Sequence, residues 1–493
     1  MKKLVAITAL FASAHLFAQA NDYYFISGTI EGVWQDSSGN TVTPPFDGTE
    51  NLIFDGAKTS AVDMTNTRDN RTTSVADLTF QNINNFTIYN WGGVTMDIGN
   101  LNSYNSTGIT LFIAPAPGTS QSNAAAINVS GDINVGATGQ KSSLYIGQRG
   151  NYTDSTGPGP ASLTVGGNVN IAALSSFATN VGYNYNDGAG GATSVEIPVE
   201  IAGTVNMEAG SQWSVNARVS GGYNIPLDAK VKLGGLNGTD ALVRNDCGEG
   251  FTGSTTLIFT NTGKAVFDGA LANDWSNDKH PSKVKVVMNG AADGVQLIRT
   301  RTNVSTPGTP AFGNFSGGVE VISGTLGLYT VANSVGDALV SGGRLAVLGA
   351  SAEADIYGVI KMDKLTWTGG AIALKVGPGF AGHIELTSFD FSGNYGVFAF
   401  DVTEAVESDG TFSEDFLVMS GATFSQEDLD KFVSESIIEL SNGTKIDGAI
   451  IAFEMRNGTE LWASVSGAIP EPAAIAAIMG ALAVGLAAWR RRR

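Results

Sequence analysis

Three stretches of this chain superpose without a gap: INVSGDINVGA from Ile127, LTVGGNVNIAA from Leu163 and VEIAGTVNMEA from Val199. Their glycines Gly131, Gly167 and Gly203 fall 36 residues apart, and Asn134, Asn170 and Asn206 keep the same interval. A fixed period of this length marks stacked supersecondary units, none of which can bury its apolar face alone. Within each unit apolar residues alternate: Ile127, Val129, Ile133, Val135; Leu163, Val165, Val169, Ile171; Val199, Ile201, Val205, Met207. Period two describes a strand with one face buried and the other polar. The glycine divides each unit into two strands and permits a bend or bulge between them. A second element follows each time (SSLYIG from Ser142, SSFATNVG from Ser175, SQWSVNARVSG from Ser211), and then a polar, Gly-rich stretch. Each unit reads as one coil of a β-solenoid, about 20 core residues with a long excursion from a common corner. Equal spacing predicts that Asn134, Asn170 and Asn206 stack into a ladder, as turn or ladder residues that bind nothing.

Composition supports an all-β chain. Sixty-three glycines among 493 residues, with abundant Asn, Thr, Ser and Val, favour many short strands and turns over helices. The single cysteine, Cys247, excludes an intrachain disulfide, so stability must come from backbone hydrogen bonds and burial. Beyond the first twenty residues the only histidines are His280 and His383, which argues against a His-based triad or a zinc site. The polar clusters RNDCGEG from Arg244 and SNDKHPSKVKV from Ser276 set no carboxylate pair on one strand face. No catalytic residue, cofactor or metal site is assigned, and the chain reads as non-enzymatic; a carbohydrate-active β-helix enzyme, a lyase or hydrolase, is the alternative. Asp/Asn loops such as DSSGN from Asp36 leave Ca²⁺ as the one ion to consider, although none matches an EF-hand or the nonapeptide calcium repeat. Tyr152, Tyr183, Tyr185 and Tyr223 recur beside Asn or Gly in the corner loops and are the candidate sugar contacts. Packing of those loops onto the stalk is the competing role, and the preferred one.

The two ends carry addresses. Lys2 and Lys3 precede an apolar run from Leu4 to Phe17, and Ala18-Gln19-Ala20 supplies a small-x-small site, so cleavage after Ala20 leaves Asn21 first. At the other end Pro470, Glu471 and Pro472 precede Ala473–Trp489, seventeen residues without a charge, and then Arg490, Arg491, Arg492 and Arg493. As a helix that segment spans about 26 Å, just enough to cross a bilayer core. The arginines stay on the cytoplasmic side and the rest of the chain outside. Losing Lys2, Lys3 and the four arginines takes the formal charge from −18 to −24. Such a surface repels nucleic acid and anionic lipid and favours cations, basic partners or neutral polysaccharide.

The order of motif, short span and Arg block resembles the PEP-CTERM sorting signal of Gram-negative bacteria. That resemblance implies an exosortase-type membrane enzyme as partner, transient anchoring in the inner membrane, and delivery to the cell surface or extracellular matrix of exopolysaccharide-producing cells. A second resemblance lies at Asn314–Tyr329, NFSGGVEVISGTLGLY, where Phe315, Ser316, Gly317, Gly318, Val319, Val321, Gly324, Thr325 and Leu326 follow the autotransporter-associated β-strand repeat. It implies a right-handed parallel β-helix. Further on, Ser425 and Asp428 form a helix start with Leu429, Phe432 and Val433 on one face, and Asn457-Gly458 marks a type I′ hairpin. The expected organisation is a signal peptide over 1–20, a β-solenoid over 21–379 with its clearest repeats near 127–235, a small α+β cap over 380–468, and a sorting segment with one transmembrane helix over 469–493. The expected function is that of an exported structural or adhesive protein associated with exopolysaccharide.

Overall fold

The computed structural model describes residues 21–27, 33–58, 73–90, 95–113, 125–147, 161–186, 192–219, 228–245, 254–273, 283–300, 315–329, 334–348, 358–390, 396–441 and 443–469. About two thirds of these residues are strand, and there is a single helix. Most pairings are parallel, and the arrangement is compatible with a β-solenoid. Thirteen parallel pairings in succession carry one face from Asn21–Ser27 to His383–Asp390. A second face runs from Thr87–Asn90 to Ile437–Glu439. From 73 to 401 the chain alternates between the two, one visit to each per coil.

The 36-residue spacing appears directly as register. Leu163 lies between Ile127 and Val199, and Asn170 between Asn134 and Asn206. Side-chain alternation then fills the space between the faces. Ile133, Val135, Val169, Ile171 and Val205 enter it from the first face, and Leu144, Ile146, Phe177 and Trp213 from the second; all are buried. Elsewhere the coil length varies: Thr79 pairs with Asn102, 23 residues on, and Glu320 with Leu339, 19 residues on. Parallel stacking requires only that strands return in register, so the connections between them are free to differ in length.

The bend within the first face is built by backbone approach. Gly131 N–H donates to Gly99 C=O, Gly167 to Gly131, and Gly203 to Gly167, at 2.7, 2.9 and 3.0 Å. A β-carbon on Gly167 would lie 2.6 Å from Gly131 O, so glycine is required there. Beside it runs a row of side-chain acceptors. Asp77, Asn100, Asp132 and Asn168 each take the backbone N–H of Asn100, Asp132, Asn168 and Thr204 in turn, at 2.7–3.1 Å. The later coils turn between faces at glycines instead, where Arg344 N–H meets Gly324 O and Ala371 N–H meets Gly343 O. Gly343 and Gly370 hold φ of +59° and +73°, the left-handed region that a β-carbon disfavours.

Both ends of the stack are closed by aromatic side chains and antiparallel strands. Phe25, Trp34, Phe54 and Phe80 pack at centroid distances of 5.0–5.4 Å under the hairpin of Asn21–Ser27 and Val33–Asp36. At the other end Thr411–Ser420, Glu460–Ala468 and Ile450–Arg456 form an antiparallel ribbon. The helix Gln426–Glu435 packs against that end, with Phe432 beside Phe398, Phe424 and Phe453. Ser425 and Asp428 make the capping box expected of them, and Leu429 and Phe432 are buried. Val433 is not: it is 44% exposed, lying about 100° round the helix from the buried Phe432. The turn after Arg456 holds three residues before Glu460, with positive φ at both Asn457 and Gly458. Parallel pairing runs on past 380, so coil and cap share one sheet. No helix among the described residues is long and apolar enough to cross a membrane.

Candidate functional site: the asparagine ladder and its groove

Each coil in the best-repeated region ends its first-face strand on an apolar residue, an asparagine and a second apolar residue: Ile133-Asn134-Val135, Val169-Asn170-Ile171, Val205-Asn206-Met207. The strand's alternation sends the flanking residues into the core and the asparagine outward. Stacking at the coil spacing brings successive carboxamides into contact. Asn134 Nδ2 donates to Asn102 Oδ1, Asn170 to Asn134, Asn206 to Asn170, each at 2.9 Å, and Asn237 to Asn206 at 3.2 Å.

The ladder is therefore five asparagines long, and its ends are tied. Asn102 Nδ2 donates to Thr79 Oγ1 at 3.2 Å, and Asn237 Oδ1 accepts Val266 N–H at 2.8 Å. All the amide dipoles point the same way, an arrangement in which each bond polarises the next. Tyr104 closes one end, its hydroxyl donating to Asn102 Oδ1 at 3.1 Å. Burial, and then the Asp77 carboxylate, hold that phenol above its ordinary pKa, so it stays a donor.

Beside the ladder lies an open groove of about 740 Å³. The asparagines 134, 170, 206 and 237 line it, with the small residues that follow each strand, such as Ala137, Ala172 and Ala209. Glu208 is the one carboxylate among the described lining residues, and its Oε2 accepts Ala173 N–H at 2.9 Å. The opposite edge of these turns is a column of buried serines. Ser142 Oγ donates to Ser106 O at 2.8 Å, and Ser175 Oγ accepts Ser142 N–H at 3.0 Å. These serines anchor the turns whose outer sides form the groove. The groove can offer hydrogen-bond donors and acceptors in a row, with almost no charge.

Charged groups elsewhere are used between coils. Lys285–Glu320, Lys361–Glu385 and Lys364–Asp390 pair residues of adjacent coils at 2.7, 3.1 and 2.9 Å, and Arg344 meets Glu439. Arg456 forks onto Asp415 at 2.9 and 3.1 Å and lies over the Trp462 ring, and this pairing lowers the Asp415 pKa. His383 is held below its usual pKa by burial, against the pull of Glu385. Glu50 is fully buried; burial raises its pKa, and its Oε2 accepts Thr49 N–H at 3.0 Å.

Among the described residues no three His, Cys, Asp or Glu side chains gather as metal ligands would. Asp36, the head of the DSSGN loop, spends its carboxylate on that loop's own turn, accepting Ser38 N–H, Asn40 N–H and Asn40 Nδ2. Of the four candidate sugar-contact tyrosines, two lie in a described strand. Tyr183 and Tyr185 belong to the strand Ser176–Asn186, which pairs antiparallel with Ala192–Glu196, while Tyr152 and Tyr223 lie outside the described residues. Ala18, Ala20, Pro470, Glu471, Pro472 and Arg490–Arg493 also lie outside them; Asn21 opens the first strand, paired with Glu50.

Asn102 and Asn237, the outer members of the ladder, escape the fixed period because their coils are 32 and 31 residues from the next asparagine. The signal that finds them is the apolar-Asn pair within a strand, in Leu101-Asn102 and Leu236-Asn237. No family model matches the chain, and no curated protein matches it.

Proposed function

We propose that this chain is an exported, non-catalytic structural or adhesive protein of the cell envelope or extracellular matrix. In this reading the first twenty residues are a signal peptide, and the body is a right-handed β-helix. Ala473–Trp489 spans the inner membrane until an exosortase-type enzyme acts at Pro470-Glu471-Pro472. The observation that carries the reading is the long uninterrupted stack. Thirteen parallel steps correspond to a rod of roughly 60 Å at the usual strand spacing, covered at both ends. Such a rod offers one outer surface repeated coil after coil, which suits scaffolding or adhesion. The strongly acidic surface favours neutral or basic partners and disfavours nucleic acid.

The groove is the one observation that favours the alternative, a carbohydrate-active enzyme. Glycoside hydrolysis uses two carboxyl groups across the scissile bond, and the described groove lining supplies one. Intact-mass measurement on protein from its native cells tests the sorting. The expected chain begins at Asn21 and lacks the Arg block; a mass that retains Arg493 overturns exosortase processing. Release of reducing ends from extracted matrix polysaccharide by the purified chain would overturn the non-catalytic reading.

A further inference from the structure

We propose that the groove along the asparagine ladder holds one unbranched strand of a neutral hexose polysaccharide, laid parallel to the stacking axis with about one sugar unit per coil. The proposal rests on the surface-protein reading only for where such a glycan would be met.

The ladder uses half of each amide. Asn134, Asn170 and Asn206 each commit one Nδ2 hydrogen and one Oδ1 lone pair to their neighbours. A carboxamide has two such hydrogens and two lone pairs, so one donor and one acceptor per residue remain for a ligand. These side chains are partly exposed and face the groove. Because the inter-amide bonds fix each side chain's rotamer, a ligand meets a preformed row and no ordering cost falls on the protein.

The row is periodic and uncharged, and both properties select the occupant. Successive coils present the same donor–acceptor pair, at Asn134, Asn170 and Asn206, every ~4.8 Å, the spacing of hydrogen-bonded strands. A polymer gains at each coil only if its own unit has that length. A hexose unit in an extended glycan is about as long as a coil is thick, and its hydroxyls donate and accept at once, as the amides do. An extended peptide advances ~3.3 Å per residue and falls out of step after one coil. Polyanions are disfavoured by the acidic chain and find no cation among the described lining residues; polycations find only Glu208, already held by Ala173. The small side chains Ala137, Ala172 and Ala209 leave the groove open, and at about 740 Å³ it has room for a short oligosaccharide rather than a single sugar.

Calorimetric titration of the purified full chain with cellohexaose, maltohexaose, chitohexaose and hexagalacturonate tests this. The informative variant is Ala209→Trp, an exposed position at which a large side chain fills the groove and leaves the amides untouched. The double variant Asn170→Leu/Asn206→Leu removes two rungs of the ladder; if it does not fold, Ala209→Trp carries the test alone. Saturable binding of at least one neutral hexaose is expected, weakened tenfold or more by Ala209→Trp with an unchanged unfolding midpoint. No saturable binding of any neutral hexaose, equal binding by Ala209→Trp, or tighter binding of hexagalacturonate overturns the proposal. Since the titration uses purified protein, its failure says nothing about export or sorting, and a mass spectrum retaining Arg493 says nothing about the groove.

Discussion

At the scale of single residues, the coil stack tolerates little where backbones touch. A β-carbon on Gly167 would sit 2.2 Å from Asp132 Oδ1, the atom that accepts Asn168 N–H, as well as close to Gly131 O. Gly167→Ala should therefore destabilise the chain by about 1–3 kcal/mol, the usual cost of overpacking, read as a lower urea midpoint. Glu50 runs the other way. Its folded pKa is raised by burial, so the folded state binds its proton more tightly than the unfolded state does. Its effect on stability is then neutral below the unfolded carboxylate value and turns unfavourable as pH climbs from there through the folded value. Glu50→Gln should raise the urea midpoint at pH 7, and the gain should vanish in acid. A gain that persists at low pH would mean that the charge is not what Glu50→Gln relieves. Asp415 has the opposite sign: its lowered pKa adds stability above the unfolded value, lost as pH falls through the folded one.

At the scale of elements, the coil is the unit of construction. Leu163 occupies in its coil the place that Val199 occupies in the next. Deleting residues 163–198 joins Ser162 to Val199, keeps the strand, restores the second face through Gln212–Val219, and loses one whole coil. Deleting only 163–180 joins the first face to the middle of the second-face strand Ser176–Asn186 and leaves half a coil that cannot stack in register. The first variant should keep a cooperative unfolding transition and a β-rich circular dichroism spectrum; the second should lose cooperativity. Equal behaviour of the two would contradict nearest-neighbour stacking.

At the scale of the molecule, the ends matter as much as the middle. A parallel stack leaves an unpaired strand edge at each end, a template for another copy. Here the helix Gln426–Glu435 and the ribbon of Thr411–Ser420 with Glu460–Ala468 cover one such end. Removing 421–469 strips the ribbon from Thr411–Ser420 and uncovers the aromatic side chains Phe398 and Phe400. The truncated protein should form concentration-dependent oligomers in light scattering, whereas the whole chain should not. A monodisperse truncated chain would show that the cap serves something other than edge protection.

What could be read from residue order alone was whatever repeats at constant spacing or acts locally. The three 36-residue units carry their own register, because equal coil lengths turn stacking into sequence periodicity; Asn134, Asn170 and Asn206 were legible as a ladder for that reason. The capping box at Ser425 and Asp428 and the turn at Asn457-Gly458 were legible because each is completed within four residues. The groove was not legible. It exists only where the outer sides of turns from several coils line up. Its terminal rungs, Asn102 and Asn237, come from coils whose connections have other lengths. Gln296 makes the same point from inside the core: it bonds both the N–H and the C=O of Leu236, sixty residues away, in place of a missing backbone partner. No local pattern announces such a contact. Parallel pairing constrains where strands return and leaves free how far the chain travels between them, so only the folded stack assigns those neighbours.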